Sequence, residues 1–305
     1  MKNIFKIALL SLCIIACKSE KKETKKETNT IEKNIKLEPK LSHEINGLTH
    51  CESVAYNKKE NLLLASLIGN SEEGDGSIAK VSLDGKVIDT TFVKGLNDPK
   101  GIAITNDKLY VSDVTVLVEA DLKTGEVLNR HTTEGTVFLN DVNVASDGTV
   151  YVSDTGNSSI YMLKPDGTFS QWLQSEDLEH PNGLLQVNND MYVAAWGNMV
   201  GPEGKQKQSG NFLKVNMESK AIAKVSQDTL GNLDGVQVYD KQNLLISAWR
   251  TGKIMKINTK GEVEDVLTVG RSVGDILYIP EKKLLALPMN IQSQLLIYEF
   301  KEVEK

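Results

Sequence analysis

The sequence predicts an all-β chain folded as a six-bladed propeller, its ring closed by an N-terminal strand that completes the last blade. Three observations carry that prediction. From Leu37 onward, short runs rich in Val, Ile, Leu and Tyr alternate with Asp-Gly, Asn-Asp and Lys-Gly turn signals, and no stretch keeps a helical period. One unit of apolar strand, polar turn and second strand recurs six times, starting at Glu52, Lys100, Asn140, Asn182, Asp234 and Gly274. These starts lie 40 to 52 residues apart, the length a four-stranded blade requires. The last repeat stops after its third strand, 295–300, so residues 37–45 are expected to supply the missing outer strand and protect an open edge.

Taken in order, residues 1–17 read MKNIFKIALLSLCIIAC. Two lysines precede an apolar run about half as long as a membrane span requires, which is the pattern of a signal peptide. The ending Ile14-Ile15-Ala16-Cys17 resembles the lipobox of bacterial lipoproteins, which implies cleavage after residue 16 and a lipid on Cys17. An uncleaved anchor or a plain secretory signal is the alternative. Residues 18–36 carry seven Lys and four Glu with only two apolar residues, too little to offset the entropy of ordering. The expected organisation is therefore a signal over 1–16, a lipidated and disordered tether over 17–36, and one propeller over 37–305. Localisation follows as extracytoplasmic, the membrane being touched only through the lipid, and the protein is expected to be a monomer.

The blades follow. In the third repeat all four strands are visible as VNVAS, TVYVSD, SIYMLK and FSQWLQ, with Lys-Pro-Asp-Gly at 164–167 as the last hairpin turn. A solenoid would need polar end caps, and the repeats show none. The chain of 305 residues has a net charge of −6, and the basic signal and tether leave about −11 on the folded body. A duplex nucleic-acid binder needs a basic footprint, so that class is disfavoured. Of the three cysteines only Cys51 would remain as a free thiol, and a buried structural role is expected for it.

In a propeller the first residue of each inner strand faces the axis at one mouth of the channel. Four of the six starts carry side-chain oxygens: Glu52, Asn140, Asn182 and Asp234. Such a set suits Ca²⁺ or a similar hard cation, and the absence of His at the rim disfavours structural zinc. Asn-Gly, Asp-Gly and Asn-Asp are also common turn dipeptides, so each could merely open a strand. Glu52 fits that bland reading least, since Glu is neither a turn former nor suited to an apolar channel wall.

On these residues the chain, from about Leu37 to Phe300, resembles the senescence marker protein/gluconolactonase family of six-bladed propellers, and more distantly the calcium-dependent paraoxonases. The resemblance implies one divalent cation held by Glu52, Asn182 (in Pro-Asn-Gly) and Asp234 (in Leu-Asp-Gly), with Ca²⁺ expected first and Zn²⁺ or Mn²⁺ as alternatives. It implies that Asn140, in Asn-Asp, contacts substrate or water, and that Asp234 doubles as general base in hydrolysis of a lactone or related ester. Departures are visible: Glu52-Ser53-Val54 stands where the family has Glu-Gly-Pro, and Phe138 precedes Asn140 where an Arg would grip a sugar-like substrate. Several blades, YVSDTGNSSIYMLKPDG above all, also resemble NHL repeats, which implies the rival reading: a non-catalytic propeller binding a ligand or protein partner. A strictosidine-synthase-like propeller, which would not need these carboxylates, is a third.

Further residues join the expected site. Lys100 could contact substrate or neutralise an oxyanion, or simply pair with Asp98, Asp141 or Asp275. Trp196 and Trp249 end second strands in blades four and five and could stack on a ring or cap the core. Asp113 and Asp154 end the corresponding strands of blades two and three and are expected in the pocket walls. The loops 69–77 and 197–211 face each other across the channel as expected lids. His43, His50, His131 and His180 show no metal spacing, and there is no Gly-x-Ser-x-Gly elbow or CxxC.

Overall fold

The computed structural model describes residues 35–70, 72–198 and 209–304. Their β-branched and leucine-rich runs form six four-stranded antiparallel sheets arranged as propeller blades. The inner strands are Cys51–Asn57, Pro99–Thr105, Leu139–Val144, Pro181–Val187, Leu233–Val238 and Leu277–Ile279. Second strands read as near-continuous apolar runs because a neighbouring blade covers each face. Every residue of Val150–Asp154 and of Leu284–Met289 is buried. Outer strands such as Val127–His131 meet water and are accordingly polar. Six separate apolar clusters result, one in each gap between neighbouring blades. The core of this fold is thus a ring of inter-blade layers.

Closure is as the sequence predicts. Strand Ile35–Asn46 runs antiparallel to Gln294–Glu304 and becomes the outermost strand of the sixth blade. It begins two residues before the expected boundary at Leu37, because Ile35 and Lys36 find register partners in Glu304 and Val303. The ring is also closed on its inside: Ser53 and Asp275 form a parallel bridge, the Asp275 N–H donating to the Glu52 carbonyl at 2.9 Å. The expected signal peptide, Cys17 and most of the expected tether lie outside the described residues, as do residue 71 of one expected lid and residues 199–208 of the other.

One local device recurs in the first five blades. Each inner strand loses register with the second strand immediately after its first residue. The residues in these irregularities are Glu52-Ser53, Lys100-Gly101, Asn140-Asp141, Asn182-Gly183 and Asp234-Gly235. A bulge re-aims a side chain out of the pleat, so five successive rim residues turn towards the channel mouth. In blades one, three and five the ladder bonds lost there are replaced by serine hydroxyls of the second strands. Ser66 accepts from Ser53 N–H at 2.9 Å, Ser153 from Asp141 N–H at 2.8 Å and Ser247 from Gly235 N–H at 2.8 Å. Glycine follows the rim residue where blades touch most closely: a Cβ on Gly183 would sit 2.1 Å from the Asp234 carbonyl oxygen.

Candidate functional site

These bulges gather the rim residues at one mouth of the channel around a cavity of about 260 Å³. Glu52, Lys100, Asn140, Asn182, Asp234, Trp196 and Trp249 all line it. Glu52 is 7% exposed and Asp234 2%, so two carboxyl groups sit almost out of solvent. Glu52 Oε2 accepts from Asn290 Nδ2 at 2.7 Å, and the Asn182 amide hydrogen-bonds the Asp234 carboxyl. Burial drives the Asp234 pKa well above the carboxylate range, and the charges of Glu52 and Asp141 push it further. Lys100 and the Asn182 hydrogen bond offset only part of this.

Asn140 is oriented by a chain of bonds: its Nδ2 donates to Thr155 Oγ1 at 3.1 Å, and Thr155 donates to the Pro181 carbonyl at 2.7 Å. With the amide nitrogen held, Oδ1 is the end available to the cavity. Lys100 Nζ pairs with Asp98 Oδ1 at 3.2 Å, as the structural alternative expected, and lies 5.0 Å from the Phe138 ring centroid. It also lines the cavity, so pairing and site membership coexist.

Below the rim a second carboxyl pair crosses the channel. Asp141 accepts from Leu184 N–H at 2.6 Å and Val142 N–H at 2.7 Å, and is hydrogen-bonded to Asp275. Burial raises Asp141 to about 7 against these bonds, while burial and the Asp141 charge raise Asp275 although Ser53 donates to it at 2.7 Å. Two acids in contact in this setting share a proton. Another cavity, of about 280 Å³, reaches the pair from the other end of the inner strands.

The loops above the rim are built differently from the expectation in two blades. Asp113 and Asp154 are fully buried and do not line the mouth cavity. Each instead accepts backbone N–H bonds from the loop that enters the same blade: Asn97 and Asp98 for Asp113, Val137 and Phe138 for Asp154. An acid at this point in the strand is more useful as a loop anchor than as a wall, because those N–H groups have no ladder partner. Thr155, Phe138, Ile68 and Asn290 take the wall positions. Thr155, Ile68 and Asn290 carry no sequence signal beyond their place just after a second strand. Trp196 and Trp249 stand 5.8 Å apart at 59°, and Asn232 joins their main chains, donating to the Trp196 carbonyl at 2.7 Å and accepting from Trp249 N–H at 2.9 Å.

Among the described residues no group of three or more His, Cys, Asp or Glu side chains is arranged to hold a metal. The rim offers instead two carboxyls and two amides, an all-oxygen set of the kind a hard cation accepts. The donor chemistry fits such an ion, and so does the raised pKa of Asp234, whose ionised form lacks a compensating positive charge in this setting. Cys51, fully buried with its thiol pushed up by burial, is structural as expected.

No family model matches this sequence, and no curated protein matches it. Solved structures do. One is a protein described as a gluconolactonase, with 16% identity over 88% of this chain and 93% of that one, at a TM-score of 0.66. Another is a gluconolactonase from Xanthomonas campestris, with 17% identity over 87% and 95% at 0.64. A third is a catalytically inactive virginiamycin B lyase from Staphylococcus aureus with quinupristin, with 10% identity over 87% and 99% at 0.59. The shared property is the propeller fold. Lactonases and a lyase both use it, so the chemistry must be argued from the rim.

Proposed function

We propose that the mouth is the active site of a divalent-cation-dependent hydrolase of lactones or related esters. One observation carries this reading: Glu52, Asn182 and Asp234 converge out of solvent, where burial raises the Asp234 pKa and Lys100 offsets only part of it, so that its ionised form calls for a further positive charge. Glu52, Asn182 and Asp234 would hold the ion, Ca²⁺ before Zn²⁺ or Mn²⁺. When bound, such an ion polarises the carbonyl and lowers the pKa of water. Asn140 Oδ1 orients the attacking water. Asp234 accepts its proton at a carboxylate oxygen and returns it to the ring oxygen as the C–O bond breaks, giving a hydroxy acid. Lys100 is close enough to the rim to neutralise developing negative charge. The gluconolactonase neighbours support the lactone class through fold alone. The leader and tether read from the sequence support display outside the cytoplasm on a lipid anchor at Cys17, and the enzyme is taken as a monomer.

Lactone hydrolysis by the purified protein, measured with Ca²⁺, Mn²⁺, Zn²⁺ or EDTA beside Glu52→Gln and Asp234→Asn, tests the reading. Activity that requires a cation and falls at least a hundredfold in both variants is expected. Activity indifferent to EDTA and to both substitutions would overturn it. Calorimetry that finds no divalent-cation binding would favour the non-catalytic, ligand-binding propeller.

A further inference from the structure

The mouth cavity has two layers of unlike chemistry. Its floor is the polar ring set by the bulged inner strands. Its collar is apolar: Ile68, Trp196 and Trp249 each follow a second strand, and Phe138 enters from the loop before Leu139–Val144. All four are half-buried, leaving apolar surface turned to the opening. Burying such surface against a ligand is favourable in proportion to its area, and aromatic faces add ring contacts of their own.

Among the described residues, several polar groups next to the collar are already engaged. The Thr155 hydroxyl donates to Pro181 and accepts from Asn140, Asn290 donates to Glu52, and Asn182 binds Asp234. A polyhydroxylated ring entering here would leave the hydroxyls that face Ile68, Phe138, Trp196 and Trp249 without partners, which costs roughly 1–3 kcal/mol for each one buried. The collar is also pre-set, because Asn232 ties the main chains of the two tryptophans together and Arg271 lies 5.0 Å over the Trp249 ring. Size agrees: an apolar cavity of about 150 Å³ takes a benzene ring, and about 260 Å³ leaves room for a fused five- or six-membered lactone.

We propose that this collar makes the site selective for lactones fused to an apolar or aromatic ring, and that it discriminates against sugar-derived lactones. The inference rests on the hydrolase reading for its chemistry but not for its binding preference. In the reaction, water adds to the lactone carbonyl carbon, the ring C–O bond breaks, and both protons of the water remain on the hydroxy-acid product. The collar takes no part in these transfers; it holds the ring so that the carbonyl faces the rim.

The test compares phthalide, γ-butyrolactone and glucono-1,5-lactone as substrates of the full chain, each kcat/KM divided by that lactone's rate constant with hydroxide. Phthalide is expected to lead the glucono lactone at least tenfold. Trp196→Leu and Trp249→Leu should each lower kcat/KM for phthalide through KM, at least threefold more than for γ-butyrolactone, which has no fused aromatic ring to stack. Equal losses on both would mark the tryptophans as structural and overturn the proposal. Binding of two unreactive lactams, isoindolin-1-one and gluconolactam, followed by tryptophan fluorescence and calorimetry, reads the preference without catalysis. Isoindolin-1-one should bind at least tenfold more tightly, and gluconolactam binding as well or better overturns the proposal. If no lactone is hydrolysed but this lactam preference holds, the hydrolase reading falls and the collar's selectivity stands.

Discussion

Replacing Ser247 by Ala should cost far more than the loss of one oxygen suggests. Ser247 is fully buried on the second strand of blade five, and its Oγ serves two main-chain groups. It accepts from Gly235 N–H at 2.8 Å, where the bulge has removed the ladder partner, and donates to the Gly274 carbonyl at 2.8 Å in the next blade. Alanine leaves both groups buried and unpaired, in a space too close-packed to admit water freely. At roughly 1–3 kcal/mol for each such group, the loss is about 3 kcal/mol. For a domain of this size that corresponds to a fall in Tm of about 6–12 °C. Ser66→Ala is the internal comparison: Ser66 accepts from Ser53 N–H at 2.9 Å, but its second contact, to the Ser53 carbonyl, is long at 3.5 Å. It should cost about half as much. Urea titration and calorimetry of the two variants beside the parent give both values. A shift below about 2 °C for Ser247→Ala, or equal shifts for the pair, would refute the idea that serine hydroxyls sustain the bulges.

Three further outcomes follow from the same geometry. Asp234 and Asp141 have folded-state pKa values raised by burial, Asp141 to about 7, so their contribution to stability is complete below the ordinary carboxylate range. It is lost as pH rises towards the folded values. In EDTA the protein should therefore lose stability between pH 5 and 8, with a shallower decline and a higher Tm at pH 8 in Asp234→Asn; stability that rises with pH would contradict this. Gly183→Ala should abolish soluble expression or destabilise by several kcal/mol, because its Cβ would stand 2.1 Å from the Asp234 carbonyl oxygen; a variant with native circular dichroism and unchanged Tm would count against so tight a blade contact. Cys51, fully buried, should react with a disulfide reagent only at the rate of unfolding, and prompt labelling in native buffer would show the first blade to be open.

Much of this was legible in the sequence because a propeller repeats its physics. The apolar runs, the turn dipeptides and the recurring starts specify six blades, and the truncated last repeat specifies where the closing strand must come from. The rim was legible for the same reason, since the same place in each repeat faces the axis. Glu52 stood out as a charge where an apolar or turn residue belongs. Less legible were features that depend on pairing between strands. Nothing in Asn182-Gly183 or Asp234-Gly235 distinguishes a strand-opening turn from a bulge until the opposite strand is in register. Asp113 and Asp154 misled because a carboxylate at a loop looks like a wall group, whereas unpaired N–H groups on the incoming loop claim it. Thr155 and Asn290 are ordinary polar residues whose role arises only from which neighbours the ring brings within 3.1 Å.

Ile35 and Glu304 are partners in the antiparallel seam of the sixth blade, which sets their Cα atoms about 5 Å apart. The ring therefore has no mechanical beginning. A few glycines joining 304 to 35, with new ends opened in the 164–167 hairpin turn, would give a circular permutant whose split blade is the third. The rim, assembled from residues in five different blades, would remain where it is. Order along the chain and order around the axis are separable here, and the chemistry at the mouth depends only on the second.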